Sequence, residues 1–113
     1  MALTLIKGVS SIPSSALEDQ GPVVQPVGEP IARIRSRSDH EGPDIGVWEC
    51  SPGRWRRQVK SAEFSHFVSG RCVFHADSGE RLEIAAGDAV IFPANTTGTW
   101  EIIETVRKIY VML

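Results

Sequence analysis

Short apolar runs alternate with Gly-bearing breaks through residues 63–100, EFSHFVSGRCVFHADSGERLEIAAGDAVIFPANTTGTW. Each run has about the length of one strand, and the breaks fall at Ser69-Gly70, Asp77-Ser78-Gly79 and Gly87-Asp88. This spacing predicts a meander of strands that must curl to bury its apolar faces. Residues 31–36 alternate, with Ala32 and Ile34 on one side and Arg33 and Arg35 on the other, which predicts a half-buried strand. Residues 38–44 form a loop by composition, and residues 45–50 form the next strand, turned back at Pro52-Gly53.

Residues 54–61 are the most informative strand. Arg54, Arg56, Gln58 and Lys60 mark its wet face, whereas Trp55, Arg57, Val59 and Ser61 point the other way. An inward Arg57 is costly unless paired, so the strand predicts a partner for it. Residues 63–68 are apolar on both faces, Phe67 on one and Phe64 with Val68 on the other, so that strand is covered twice. Residues 99–113 behave alike. Trp100, Ile102, Val106, Tyr110 and Met112 share a phase with Glu104 and Lys108, and Ile103, Ile109, Val111 and Leu113 occupy the opposite phase.

The first part of the chain is different in kind. Residues 1–22 are Ser-rich and broken by Pro13 and Gly21-Pro22, and Pro22, Pro26 and Pro30 restrict residues 22–30 to a short or edge strand. Leu3, Leu5, Ile6, Ile12 and Leu17 would be costly to leave in water. Residues 1–30 therefore read as an arm packing on the barrel or on a partner subunit, and residues 31–113 as the barrel. The pattern contains no amphipathic helix and no internal repeat.

At 113 residues the chain is a single domain, and a net charge of -2 gives no positive field for nucleic acid. The clusters Arg33, Arg35, Arg37 and Arg54, Arg56, Arg57 are offset by 14 acids and read as solvated strand faces. The first residues lack the basic and apolar regions of a secretion signal, and no run approaches a membrane span of about 18 apolar residues. Cys50 and Cys72 have no metal-ligand spacing and are too few for a disulfide framework. Free thiols in a reducing cytoplasm are expected.

Residues 53–113 resemble the cupin superfamily. Its first motif ends in a Glu, six residues and a Gly, matched by Glu63 and Gly70. Its second opens with a Gly, five residues and a Pro, matched by Gly87, DAVIF and Pro93. Within the superfamily the chain is similar to the small single-domain branch related to ureidoglycine aminohydrolase, through G-D-A-V-I-F-P, Trp100 and E-T-V-R-K-I-Y from residues 104–110. The resemblance implies an all-β, RmlC-like jelly-roll barrel. It also implies a metal held by two His and the Glu of the first motif and the His of the second. Counting along the motifs puts Arg57, Val59, Glu63 and Gly98 at those four positions. A transition metal needs three or four suitable donors, so no bound metal and no cofactor are expected. His66 falls on the face opposite Glu63, His75 at the edge of a turn and His40 in a loop, all read as surface or interface residues.

Arg57 and Glu63 share a phase, which suggests a guanidinium standing where relatives hold a metal, paired with the carboxylate. Lys108 and Tyr110 face the same lumen in the resemblance, with Trp55, Phe67 and Trp100 as aromatic walls. This set, Trp55, Arg57, Glu63, Phe67, Trp100, Lys108 and Tyr110, suits a small molecule bearing a carboxylate or ureido group. Three roles stay open: a binding cupin without turnover, a metal-independent or degenerate ureidoglycine aminohydrolase-like enzyme, or a scaffold around a satisfied polar core. In the enzyme, Lys108, Tyr110 or Glu63 would serve as acid or base. Two doubly covered strands and an apolar arm predict a homodimer.

Overall fold

The computed structural model describes residues 3–37 and 43–113. Most of the loop expected over residues 38–44, and His40 with it, lies outside the described residues. Eight strands follow in order: β1 Glu18–Asp19, β2 Ala32–Arg37, β3 Ile45–Cys50, β4 Gly53–Arg57, β5 Glu63–Ala76, β6 Arg81–Ala85, β7 Ala89–Phe92 and β8 Gly98–Met112. Two short 3-10 turns, Val9–Ser11 and Ser14–Ala16, precede them. The fold is all-β, as the alternation predicts, with a jelly-roll arrangement.

The two long strands organise the barrel. β5 and β8 run antiparallel from the Glu63–Met112 pair to the Ala76–Gly98 pair. At one end they are flanked by β3, continued by β2 and β1, and by β7. At the other end they are flanked by β4 and β6. Each long strand thus belongs to both halves, and the halves close over one aromatic core. Phe74 meets Phe92 edge-on at 5.4 Å and Trp100 at 4.9 Å between ring centroids, the offset geometry that aromatic quadrupoles favour.

Three expectations need correction. Ser69-Gly70 is not a turn, because β5 passes straight through it with register shifts between Phe67 and Cys72. Gly70 (φ +83°) lies so close to β8 that a Cβ would stand 2.0 Å from the Thr105 carbonyl oxygen. The glycine serves a bulge at a close backbone crossing. At that crossing β8 exposes Ile103, Glu104 and Thr105 together, so Glu104 is not carried inward although Ile102, Val106 and Lys108 of the same phase are buried. Finally, β4 stops at Arg57 and does not continue to residue 61. The turns at Asp77-Ser78-Gly79 and Gly87-Asp88 form where the pattern puts them; Gly79 donates to the Ala76 carbonyl and Asp88 to that of Ala85.

Residues 9–27 are tied to the sheet, whereas Leu3 and Leu5, expected to be packed away from water, are exposed. β1 pairs with Ile34 and Arg33 at the sheet edge, Val27 bridges Arg54, and Leu17 is buried. Arg107, buried on the outer face, donates through Nη1 to the carbonyls of Val9 and Ile12 at 3.2 and 2.5 Å. Its Nη2 meets Glu49 Oε1 at 2.7 Å, and Ser14 donates to the same oxygen at 2.9 Å. This buried pair fastens the arm, and the sequence signal for it was a single acid, Glu49, in an otherwise apolar strand.

Candidate functional site

Alternation along β4 sends Trp55 and Arg57 inward, and alternation along β5 does the same for Glu63, Ser65 and Phe67. From β8, Trp100, Lys108 and Tyr110 enter the lumen. Arg57, Glu63 and Lys108 are 2%, 3% and 4% exposed, so each charge needs a partner within the protein. Glu63 supplies it for both cations. Its Oε1 accepts from Arg57 Nη2 at 3.2 Å, and its Oε2 accepts from Lys108 Nζ at 2.5 Å and from the Ser65 hydroxyl. Arg57 Nη1 donates to the Thr96 carbonyl at 2.7 Å.

Aromatic faces do the rest of the solvation. Lys108 Nζ lies 4.6 Å from the Trp48 ring centroid and 5.3, 5.6 and 5.7 Å from those of Trp100, Phe92 and Phe67. The Arg57 guanidinium stacks 4.3 Å from Phe92. Such faces attract cations where water is excluded. Burial pulls the Lys108 ammonium below its ordinary pKa, although Glu63 opposes the shift. Burial likewise lowers Arg57 against the pull of Glu63. For Glu63 burial pushes upward, but Lys108, Ser65 and Arg57 together outweigh it and hold the carboxyl below its ordinary value.

The three charged residues open onto a cavity of about 260 Å³. Of the residues expected at the site, Trp55, Arg57, Glu63, Trp100, Lys108 and Tyr110 line it. Phe67 does not; it stands one layer behind, packed 6.4 Å from Trp100. Sequence reasoning missed Trp48, Ile34, Val59, Met112 and the strap of residues 20–24, which complete the wall. Trp48 is carried there by its pairing with Lys108 in the β3–β8 ladder, and Gln20 Oε1 fixes the strap by accepting from Trp48 Nε1 at 3.1 Å. The arm is therefore part of the site.

The residues at the metal positions of the fold do not fit a metal. Arg57 brings a fixed positive charge to one of them, and Val59 has no donor atom. Gly98 admits no side chain: a Cβ there would stand 2.5 Å from the His75 carbonyl oxygen and 2.5 Å from Phe74. A histidine cannot be placed at that position without moving backbone. His75 instead faces Glu101, 2.9 Å away, and His66 lies outward, paired with Ile109 and Ala89. Among the described residues no three His, Cys, Asp or Glu gather as metal ligands would.

The jelly-roll barrel, with its charged residues converging on the lumen, is that of a cupin. More narrowly, the chain belongs to the Cupin_3 family of EutQ-like cupin domains, whose model matches residues 38–110. Among solved structures, it is similar to a protein of unknown function from Rhizobium leguminosarum bv. viciae 3841. That match has a TM-score of 0.70 and 19% identity, over 99% of this chain and 97% of that one. The Clostridium difficile EutQ protein matches with a TM-score of 0.67 and 15% identity, over 74% of this chain and 68% of that one. A DUF861 family protein from Thermotoga maritima gives 0.59 and 21%, over 73% and 99%. At such identities the likeness carries the fold alone. None of the curated proteins matches this chain.

Proposed function

We propose that the barrel lumen binds a small polar or anionic metabolite without a bound metal. The observation that carries this reading is an open cavity of about 260 Å³ with Arg57, Glu63, Lys108 and Tyr110 on its wall. A barrel serving only as a scaffold would fill that space with side chains. Two cations against one carboxylate favour an acceptor-rich ligand, and aromatic walls favour a compact one. Mass spectrometry of small molecules carried through native purification, with elemental assay for metal, tests the reading. A retained anion with no stoichiometric metal is expected; near one equivalent of manganese, iron, nickel or zinc bound at Glu63 would overturn it.

A second reading is favoured by the buried contact between Lys108 Nζ and Glu63 Oε2 at the cavity wall. In a metal-independent enzyme of the ureidoglycine aminohydrolase-like kind, that pair, with Tyr110, would exchange a proton with substrate. Lys108→Ala then abolishes product formation, whereas in a binding protein it only weakens affinity.

The working unit in either case is a homodimer. On the outer face Phe64 lies beside both Ile91 and Val111, and Ile91 and Leu113 are 66% and 72% exposed. A second copy covering this patch removes it from water. Light scattering at micromolar concentration checks this, and a monomer would contradict it. No helix among the described residues is long and apolar enough to cross a membrane. The thiols of Cys50 and Cys72, free and buried, suit a cytoplasmic setting.

A further inference from the structure

Glu63 is the one acidic side chain on the cavity wall among the described residues, and both its oxygens are engaged by Arg57, Lys108 and Ser65. The wall therefore carries one positive charge beyond those it balances. One entering negative charge would neutralise it. A second would remain unmatched in a site closed in by aromatic rings, where an unpaired charge is expensive. An entering cation would be repelled by Arg57 and Lys108.

The other wall groups offer a ligand little to hydrogen-bond. Gln20 Oε1 is taken by Trp48 Nε1, and Trp55 Nε1 donates to Cys50 Sγ at 3.3 Å. Apart from Tyr110 and the Gln20 amide nitrogen, what remains is hydrocarbon and ring: Trp48 and Trp55, tilted at 44° with centroids 6.2 Å apart, share the wall with Val23, Val24 and Ile34. A volume of about 260 Å³ holds about nine water-sized groups. A small polyanion would fill the charged end and leave the apolar end wet.

We propose that the lumen selects a singly charged carboxylate with a compact apolar body, aromatic for preference. Its head meets Arg57 and Lys108, and its body lies between the Trp48–Trp55 pair and the Val23-Val24 strap. Arg57, with five N–H donors, spends Nη1 on Thr96 and Nη2 on Glu63, so its fork has donors left for a carboxylate. This rests on the binding reading above and narrows it to a ligand class.

The protein supplies its own probe, because all three tryptophans of the chain, Trp48, Trp55 and Trp100, line the cavity. Intrinsic fluorescence is titrated with phenylacetate, its neutral amide phenylacetamide, the cation 2-phenylethylamine and the small dianion malonate. Phenylacetate is expected to saturate the signal at a concentration at least about tenfold below the other three. Arg57→Met and Lys108→Met, each checked for folding by circular dichroism, are expected to bring phenylacetate close to phenylacetamide. Malonate binding with phenylacetate silent would overturn this inference while leaving an anion site in place. Phenylacetamide or the amine binding as well as phenylacetate would also overturn it. A signal moved by none of the four would overturn the inference and count against the pocket as well.

Discussion

Lys108 Nζ donates to Glu63 Oε2 at 2.5 Å, while the other oxygen of the same carboxylate takes Arg57 at 3.2 Å. One buried anion thus holds two buried cations, and the three residues are unequal in consequence. Glu63→Gln leaves both cations without an anion and is expected to lose about 3–5 kcal/mol in urea denaturation. Arg57→Met or Lys108→Met leaves a balanced pair and should lose less. A cation variant less stable than Glu63→Gln would contradict this arrangement.

The same contact sets an acid dependence. The Glu63 carboxyl lies below its ordinary value of 4.5 in the folded protein, so the unfolded chain takes up the proton first as pH falls. The stabilisation it gives is present above pH 4.5 and is lost as pH drops through the lower folded value. The stability gap between the wild type and Glu63→Gln should therefore narrow steadily below that point. A gap constant across the acid range would show that the carboxylate is not held by its two cations.

Gly70 and Gly98 are fixed by their neighbours and Gly79 only by its backbone angle. Gly79→Ala meets open space at φ +103° and is expected to lose about 1–2 kcal/mol. Gly70→Ala adds a collision with the Thr105 carbonyl and should lose more than about 4 kcal/mol or fail to fold. Gly98→Ala, pressed on His75 and Phe74, belongs with Gly70. Equal thermal midpoints for Gly70→Ala and Gly79→Ala would contradict the close crossing of β5 and β8.

Cys50 and Cys72 are buried, and burial pushes their thiols up from 9.0 to about 11 and about 12. At pH 9.0, where an ordinary thiol is half ionised, both stay protonated in the folded chain. Alkylation by iodoacetamide at that pH is expected to proceed only as fast as the protein unfolds. Rapid labelling of either thiol in the native protein would show an open core.

Much of the barrel was legible because period-2 alternation survives wherever one face is wet. Residues 54–57 disclosed an inward Arg57 in this way, and Glu63 shares its phase. Ser69-Gly70 misled because the same dipeptide serves a hairpin or a bulge, and only the partner strand decides between them. Glu104 was misplaced at the same crossing: β8 keeps its inward phase on either side, yet residues 103–105 are exposed together. Trp48 was missed at the site because nothing local assigns β3 a neighbour; its place depends on pairing with Lys108. The strap of residues 20–24 is irregular backbone held by single hydrogen bonds, and periodicity has nothing to say about such a segment.

The Trp48–Lys108 and Glu49–Arg107 pairs are neighbouring rungs of the β3–β8 ladder, one turned to the lumen and the other to the arm. Sliding β3 along β8 by a single residue would turn each rung inside out. Glu49 would then enter the aromatic basket, and Trp48 would lie under the arm in place of the anion that Arg107 and Ser14 require. Only one alignment of the two strands satisfies both sides together. The pair of rungs works as a spelling check on assembly, because a misaligned barrel would satisfy neither side.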